Sequence, residues 1–119
     1  MAVQRIKHEE KKLTAQIQIF LIPEGEQYVA YCPALELSSY GSSPEDARAA
    51  FAEAMAIFVE ETQAKGTLER VLLGLGWTLQ QRPVARYEPP RPSVDFLNTL
   101  GSGKRGKIRT VNQQLAVAY

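Results

Sequence analysis

The side chains that could carry out chemistry are few and lie far apart along the chain. His8 is the only histidine, and it stands beside Glu9 and Glu10 in a polar N-terminal segment. A histidine there is expected to be exposed to solvent rather than to act as a general base for a serine or cysteine. Cys32 is the only cysteine and precedes Pro33 at the end of a predicted strand, so we predict a buried, inert thiol and no intrachain disulfide.

The acidic residues do not suggest a metal-dependent nuclease, which needs several carboxylates that converge on metal ions. Glu24 and Glu26 lie in a predicted turn, and Glu36 points away from the leucines on either side of it. The acids of the following helix fall mostly on its solvent face. We therefore predict that the protein is not an enzyme, with no catalytic, cofactor-binding or metal-binding residues and no cofactor.

Four cations near the C-terminus are the candidates for contact with nucleic acid or with another subunit: Lys104, Arg105, Lys107 and Arg109. Residues 1–77 carry seven Lys/Arg and 11 Asp/Glu, a balance of −4, whereas residues 78–119 carry seven and two, a balance of +5. The basic end could attract RNA weakly. The same charges could instead keep the protein in solution, or draw the two halves together within or between subunits.

A meander of three strands is predicted to precede the helices. Residues 1–12 are polar and are expected to be frayed, and apolar residues then alternate from Leu13 to Leu21, the pattern of a strand with one buried face. Phe20 and Ile22 make the second face apolar at its end, so we expect another part of the chain to cover it. After the turn at residues 23–26, strands are predicted over residues 27–32 and 35–40, with Gly41 ending the third.

Strong helix signals follow. Ser43-Pro44-Glu45-Asp46 is typical of a helix start, because the serine can cap a free N–H and proline suits the first position. An apolar stripe continues from there, and Gly66 is predicted to end the helix in the left-handed conformation. Thr67 is expected to cap a second helix that ends at Gly76. The apolar stripe of the first helix consists of Ala47, Ala50, Phe51, Ala54, Met55 and Phe58.

The rest of the chain is predicted to add strands and a stiff connector. Residues 77–87 are predicted to form a fourth strand, and the proline-rich residues 88–92 an extended connector. Residues 93–100 suit a single helical turn, 101–107 a mobile basic loop, and 108–119 a final strand that needs a sheet edge. We predict an α+β fold in the order β-β-β-α-α-β, with helices on one face. The predicted division is 1–88 for the folded domain and 89–119 for the connector, basic loop and terminal strand.

The segment from Tyr28 to Trp77 resembles the HicB-like antitoxin family. The resemblance is carried by Tyr28-Val29-Ala30-Tyr31-Cys32-Pro33-Ala34-Leu35, Tyr40-Gly41, Ser43-Pro44-Glu45-Asp46-Ala47 and Leu75-Gly76-Trp77. It implies a truncated ribonuclease-H-like fold without the nuclease's acidic site. It also implies a module that binds and neutralises a small RNA-cleaving toxin called HicA, often as a dimer or larger assembly.

Many members of that family add a helix-turn-helix or ribbon-helix-helix that binds promoter DNA. Only 27 residues follow Pro92 here and glycines interrupt them, so we do not expect promoter binding. An alternative is a HicB-like domain that associates with itself and has no toxin partner. We expect a cytoplasmic protein, because the N-terminus is charged and no apolar run reaches the ~20 residues that span a membrane. We also expect a homo-oligomer, because the sheet is incompletely covered and the strand over residues 108–119 needs an edge.

Overall fold

A computed structural model describes residues 12–80, 86–93, 95–98 and 108–118, and its elements confirm the predicted α+β class. The helices are α1 (Pro44–Ala64), α2 (Leu68–Gly74) and the single turn α3 over residues 95–98. The strands are β1 (Lys12–Glu24), β2 (Gln27–Cys32), β3 (Leu37–Gly41), β4 (Thr78–Gln80), β5 (Arg86–Glu88) and β6 (Arg109–Ala118).

The main sheet is antiparallel with strand order β3-β2-β1-β6. The predicted meander of β1, β2 and β3 is confirmed, and Gly25, with φ +62°, turns the chain between β1 and β2. The predicted terminal strand also forms, and it finds its edge within its own chain. β6 pairs with β1 from Lys12 opposite Ala118 to Leu21 opposite Arg109. Residues 109–118 therefore belong to the same sheet as the meander.

Alternation along β1 divides the sheet into two faces. Ile17, Ile19 and Leu21 are buried in the main core, which lies on the face that α1 and α2 cover. α1 contributes Ala47, Phe51, Met55 and Val59 to this core, spaced four residues apart along one stripe. Of the predicted stripe, Ala47, Phe51 and Met55 are buried as expected. Phe58 is only half-buried, and the fourth buried residue of the helix is Val59 instead. No helix among the described residues is long and apolar enough to cross a membrane.

The predicted start and end of α1 are confirmed. Ser43 is extended, with φ −146°, and its Oγ accepts a hydrogen bond from the Asp46 N–H at 3.0 Å. Pro44 occupies the first helical position, where no intrahelical N–H donor is needed. Beyond the helix, Gly66 takes the left-handed conformation with φ +69°. These local signals fix both ends of the longest helix.

Ser43→Ala should lower the free energy of unfolding by about 1 kcal/mol, because the Asp46 N–H loses its acceptor at the helix start. Urea denaturation followed by far-UV circular dichroism measures this change. Ser38→Ala, on an exposed position of β3, is the matched control and should change stability by less than about 0.5 kcal/mol. Equal midpoints for the two variants would show that the Ser43 hydroxyl does not stabilise the helix.

Thr67 is the N-cap residue of α2 as predicted, but its side chain makes no capping hydrogen bond. Its backbone has φ −115° and ψ 3° and is not extended. Its hydroxyl instead donates to the Thr62 carbonyl oxygen at 3.4 Å. The predicted end of this segment is confirmed, since Gly76 has φ +98°.

Two of the predicted strands differ from the observed ones. Residues 77–87 do not form one strand. Instead β4 and β5 pair with each other in a separate two-stranded sheet, and Trp77 packs into the core ahead of β4. The third strand begins at Leu37 rather than at residue 35, and Gly41 is its last residue. Leu35 and Glu36 lie in a turn, because Pro33 lacks an N–H for the ladder and its carbonyl accepts from the Glu36 N–H at 3.3 Å.

Candidate binding cleft

A cleft of about 280 Å³ lies between the β2–β3 turn and the proline-rich connector. The turn wall consists of Tyr31, Pro33, Ala34 and Glu36. The connector wall consists of Pro90–Ser93 and Phe96, and Leu75 adds a further apolar side chain. The cleft thus brings together three segments that are far apart in the sequence.

The indole of Trp77 holds the turn wall in place. Its Nε1–H donates to the Ala34 carbonyl oxygen at 2.8 Å, and both residues are buried. Glu36, at the end of the turn, has φ +52° and is the one non-glycine residue with a positive φ in the described part of the chain. Such a backbone is costly for a residue with a side chain, and it persists only where the surroundings enforce it.

The connector wall passes beside Gly76 and leads into α3. A Cβ added at Gly76 would lie 3.4 Å from the Cβ of Pro90, an ordinary van der Waals contact, so Gly76 is required by its positive φ of +98° rather than by lack of space. In α3, the Phe96 N–H donates to Ser93 Oγ at 3.0 Å and the Leu97 N–H donates to the Ser93 carbonyl at 3.1 Å. Ser93 therefore caps this turn and sets the direction of Phe96.

Phe96 covers the second face of the sheet. Its ring meets Phe20 edge-on, with centroids 5.1 Å apart and planes at 79°, and lies 5.6 Å from the ring of Tyr31. Phe20 and Tyr31 are paired in the β1–β2 register, so they share this face. The expectation that another part of the chain covers the apolar end of this face is confirmed at Phe20. The sequence indicated that a cover was needed but did not identify Phe96 as the residue that supplies it.

Three polar side chains of the cleft, Tyr31, Glu36 and Arg91, have no hydrogen-bond or ion-pair partner among the described residues. Glu36 and Arg91 are exposed, and neither belongs to an ion pair within that part of the chain. The Tyr31 hydroxyl likewise makes no hydrogen bond to another described residue. Burial raises the pKa of the Tyr31 phenol, and the negative charge of Glu36 raises that pKa further, with a smaller effect from Cys32. A carboxylate, a phenol and a guanidinium thus line one small cleft.

Comparisons with family models, with curated proteins and with solved structures found no match to this chain.

The predicted basic site is described only at Arg109, since Lys104, Arg105 and Lys107 lie outside the described residues. Arg109 forms an ion pair with Glu45 of α1 in the same chain at 3.4 Å. The Arg109 side chain is 49% exposed and the Glu45 side chain 77% exposed. Because both are open to solvent, the pair contributes at most ~1 kcal/mol to the free energy of unfolding. This described cation is thus drawn to the acidic start of α1. RNA or subunit contact through the other three stays a prediction.

The acidic residues stay apart. Among the described residues no group of three His, Cys, Asp or Glu side chains is close enough to hold a metal ion. Glu24 ends β1 and Glu26 lies in the adjoining turn. Glu36 does not lie on β3 as the sequence suggested but in the turn before it, because Pro33 ends the ladder of β2. His8 lies outside the described residues.

The three tyrosines of the meander, Tyr28, Tyr31 and Tyr40, do not all lie on one face of the sheet. Tyr28 packs against the main core on the helix-covered face, whereas Tyr31 lies on the opposite face. Val29 alternates with Tyr28 and Ala30 along β2, so Val29 and its register partner Tyr40 also lie on the face opposite Tyr28. Tyr40 is 60% exposed there. The aromatic surface of the cleft therefore comes from Tyr31 alone among these three residues.

Cys32 is fully buried, as the sequence predicted. Burial raises the pKa of its thiol, although hydrogen bonds from the backbone at Leu35 and Ala34 act in the opposite direction. The protonated thiol is the less nucleophilic form, so both its burial and its protonation make it inert.

Cys32 should react with a thiol reagent such as dithionitrobenzoate roughly a hundredfold more slowly in the folded protein than in urea, because β2 must open before the reagent reaches the sulfur. The absorbance of the released thiolate measures the rate. A control peptide with the sequence of residues 28–36 gives the rate of the accessible thiol. Equal rates for the folded protein and the peptide would contradict the burial of Cys32.

Proposed function

We propose that this chain is a non-catalytic, HicB-like antitoxin module of the cytoplasm that binds and neutralises a small HicA-like RNA-cleaving toxin. One observation carries the proposal: two of the four segments that carry the resemblance, Tyr28–Leu35 and Leu75–Trp77, meet at the cleft. Tyr31, Pro33, Ala34 and Leu75 line it, and Trp77 braces its turn wall. Residues that build one surface from separate segments are suited to binding a partner.

The proposal predicts that a small basic protein is encoded beside this chain, and co-expression of the two proteins tests it. We expect the two proteins to purify together, and we expect this chain to restore growth and to stop RNA cleavage by its partner. The chain alone should leave RNA intact. Separate elution of the two proteins together with undiminished RNA cleavage would overturn the proposal.

Self-association is the second candidate, and the outer edge of β6 favours it. β6 lies at one end of the main sheet, and residues 110–118 contain no charged residue and no proline. Edge strands are normally protected by such residues, because their free N–H and C=O groups can pair with another chain. Arg48 covers one of these groups by donating to the Asn112 carbonyl oxygen at 2.9 Å. A second copy could pair with this edge about a two-fold axis.

Light scattering at micromolar concentration should then give twice the chain mass of 13.3 kDa. Gln114→Lys on β6 should shift the protein towards the monomer by placing charge at the paired edge. Gln16→Lys, on an exposed position of the interior strand β1, is the matched control and should leave the dimer intact. A wild-type mass of 13.3 kDa alone would exclude self-association.

A further inference from the structure

The turn wall of the cleft offers hydrogen-bond acceptors, whereas the side-chain N–H donors of the lining belong to Arg91 on the connector wall. Three of its lining residues are prolines, which have no backbone N–H: Pro33, Pro90 and Pro92. The Glu36 carboxylate accepts hydrogen bonds only, and the Tyr31 phenol can also accept. Beside Glu36 and Tyr31, an occupant that carries several N–H donors and a positive charge therefore matches the lining better than an anion does.

Two aromatic rings add a second preference for a cation. The ring centroids of Tyr31 and Phe96 lie 5.6 Å apart, the ring planes make an angle of 54°, and both residues line the cleft. The face of an aromatic ring attracts a cation within about 6 Å of its centre. The carboxylate of Glu36 acts in the same direction, and its charge is felt at the Tyr31 phenol, whose pKa it raises after the larger effect of burial.

Arg91 is the one cation among the described lining residues, and it limits which ligand fits. It would repel an isolated cation, whereas an acidic residue beside the ligand's cation would pair with it. The volume of about 280 Å³ accommodates one long side chain, and it lies at the lower end of the roughly 300–1,000 Å³ of small-molecule sites. A planar guanidinium can stack on a ring and bind a carboxylate through two hydrogen bonds, which an ammonium cannot do.

We propose that the cleft binds an arginine side chain of a partner protein, with the guanidinium against Tyr31, Phe96 and Glu36 and a neighbouring acidic residue of the partner at Arg91. The choice of a basic protein as the partner rests on the proposed function. Glu36 is the residue whose charge selects the ligand, and its left-handed backbone places it at the cleft.

A blocked peptide, acetyl-Gly-Arg-Asp-Gly-amide, is the probe, and nuclear magnetic resonance of the full chain is the measurement. The ring signals of Tyr31 and Phe96 should shift on titration. The same peptide with citrulline, the neutral analogue of arginine, should bind at least ~10-fold more weakly because it lacks the charge. Equal affinity for the two peptides, or unmoved ring signals, would overturn the inference.

Glu36→Gln should weaken binding of the arginine peptide by a similar factor, whereas Glu60→Gln, on the exposed side of α1, should not. Glu36→Asn is the second variant, because asparagine tolerates the left-handed backbone and also lacks the charge. Unchanged affinity in both Glu36 variants would overturn the role of Glu36. No toxin is present in this experiment, so its failure leaves co-purification with the toxin as a separate result.

Discussion

Trp77→Ala should lower the free energy of unfolding by about 4 kcal/mol, because it removes the largest side chain of the core and leaves a cavity. The indole is 3% exposed and packs among residues of the sheet and of α2. The substitution also removes the donor to the Ala34 carbonyl oxygen. A buried carbonyl without a partner adds to the loss.

Urea denaturation followed by far-UV circular dichroism measures the effect without relying on the indole's own fluorescence. Trp77→Phe separates the loss of packing from the loss of the hydrogen bond, since phenylalanine keeps an aromatic ring but has no N–H. It should lower the free energy of unfolding by about 2 kcal/mol. Leu73→Ala, at a 56% exposed position of α2, is the control and should cost less than about 0.5 kcal/mol. A loss no larger than this control would contradict the structural role of Trp77.

Gly41→Ala should lower the free energy of unfolding by about 3 kcal/mol, the upper end of the range for overpacked sites. The effect is large because the new methyl group would meet backbone atoms rather than a side chain that can rotate away. Its Cβ would lie 2.6 Å from the Asp46 carbonyl carbon and 2.7 Å from Ala47 Cα, and would also contact the Ala47 nitrogen. The start of α1 would have to move away from β3.

Gly74→Ala is the matched control for this substitution. Gly74 lies in α2 with nothing within 4 Å of an added Cβ, so alanine should raise stability by up to about 1 kcal/mol through its higher helix propensity. Thermal and urea denaturation of both variants would show opposite signs. A neutral Gly41→Ala would show that the contact between β3 and α1 is looser than the structure indicates.

The sequence by itself determined the elements whose signals are local. The alternation of β1 and the cap at Ser43 each depend on neighbouring residues alone, and both appear as predicted. Gly66 and Gly76 also take the left-handed conformation expected at the helix ends. These features follow from backbone geometry and side-chain periodicity, which a short stretch of sequence contains.

Only the tertiary structure decided the cleft and the course of the chain around it. The turn at Glu36 depends on Trp77, 43 positions from the Ala34 carbonyl that it binds. Phe96 covers Phe20 from a segment whose own sequence predicts no more than a helical turn. The separation of β4 from β5 likewise has no strong local signal. Such contacts arise when distant segments compete to bury the same apolar surface, and no single segment specifies the outcome.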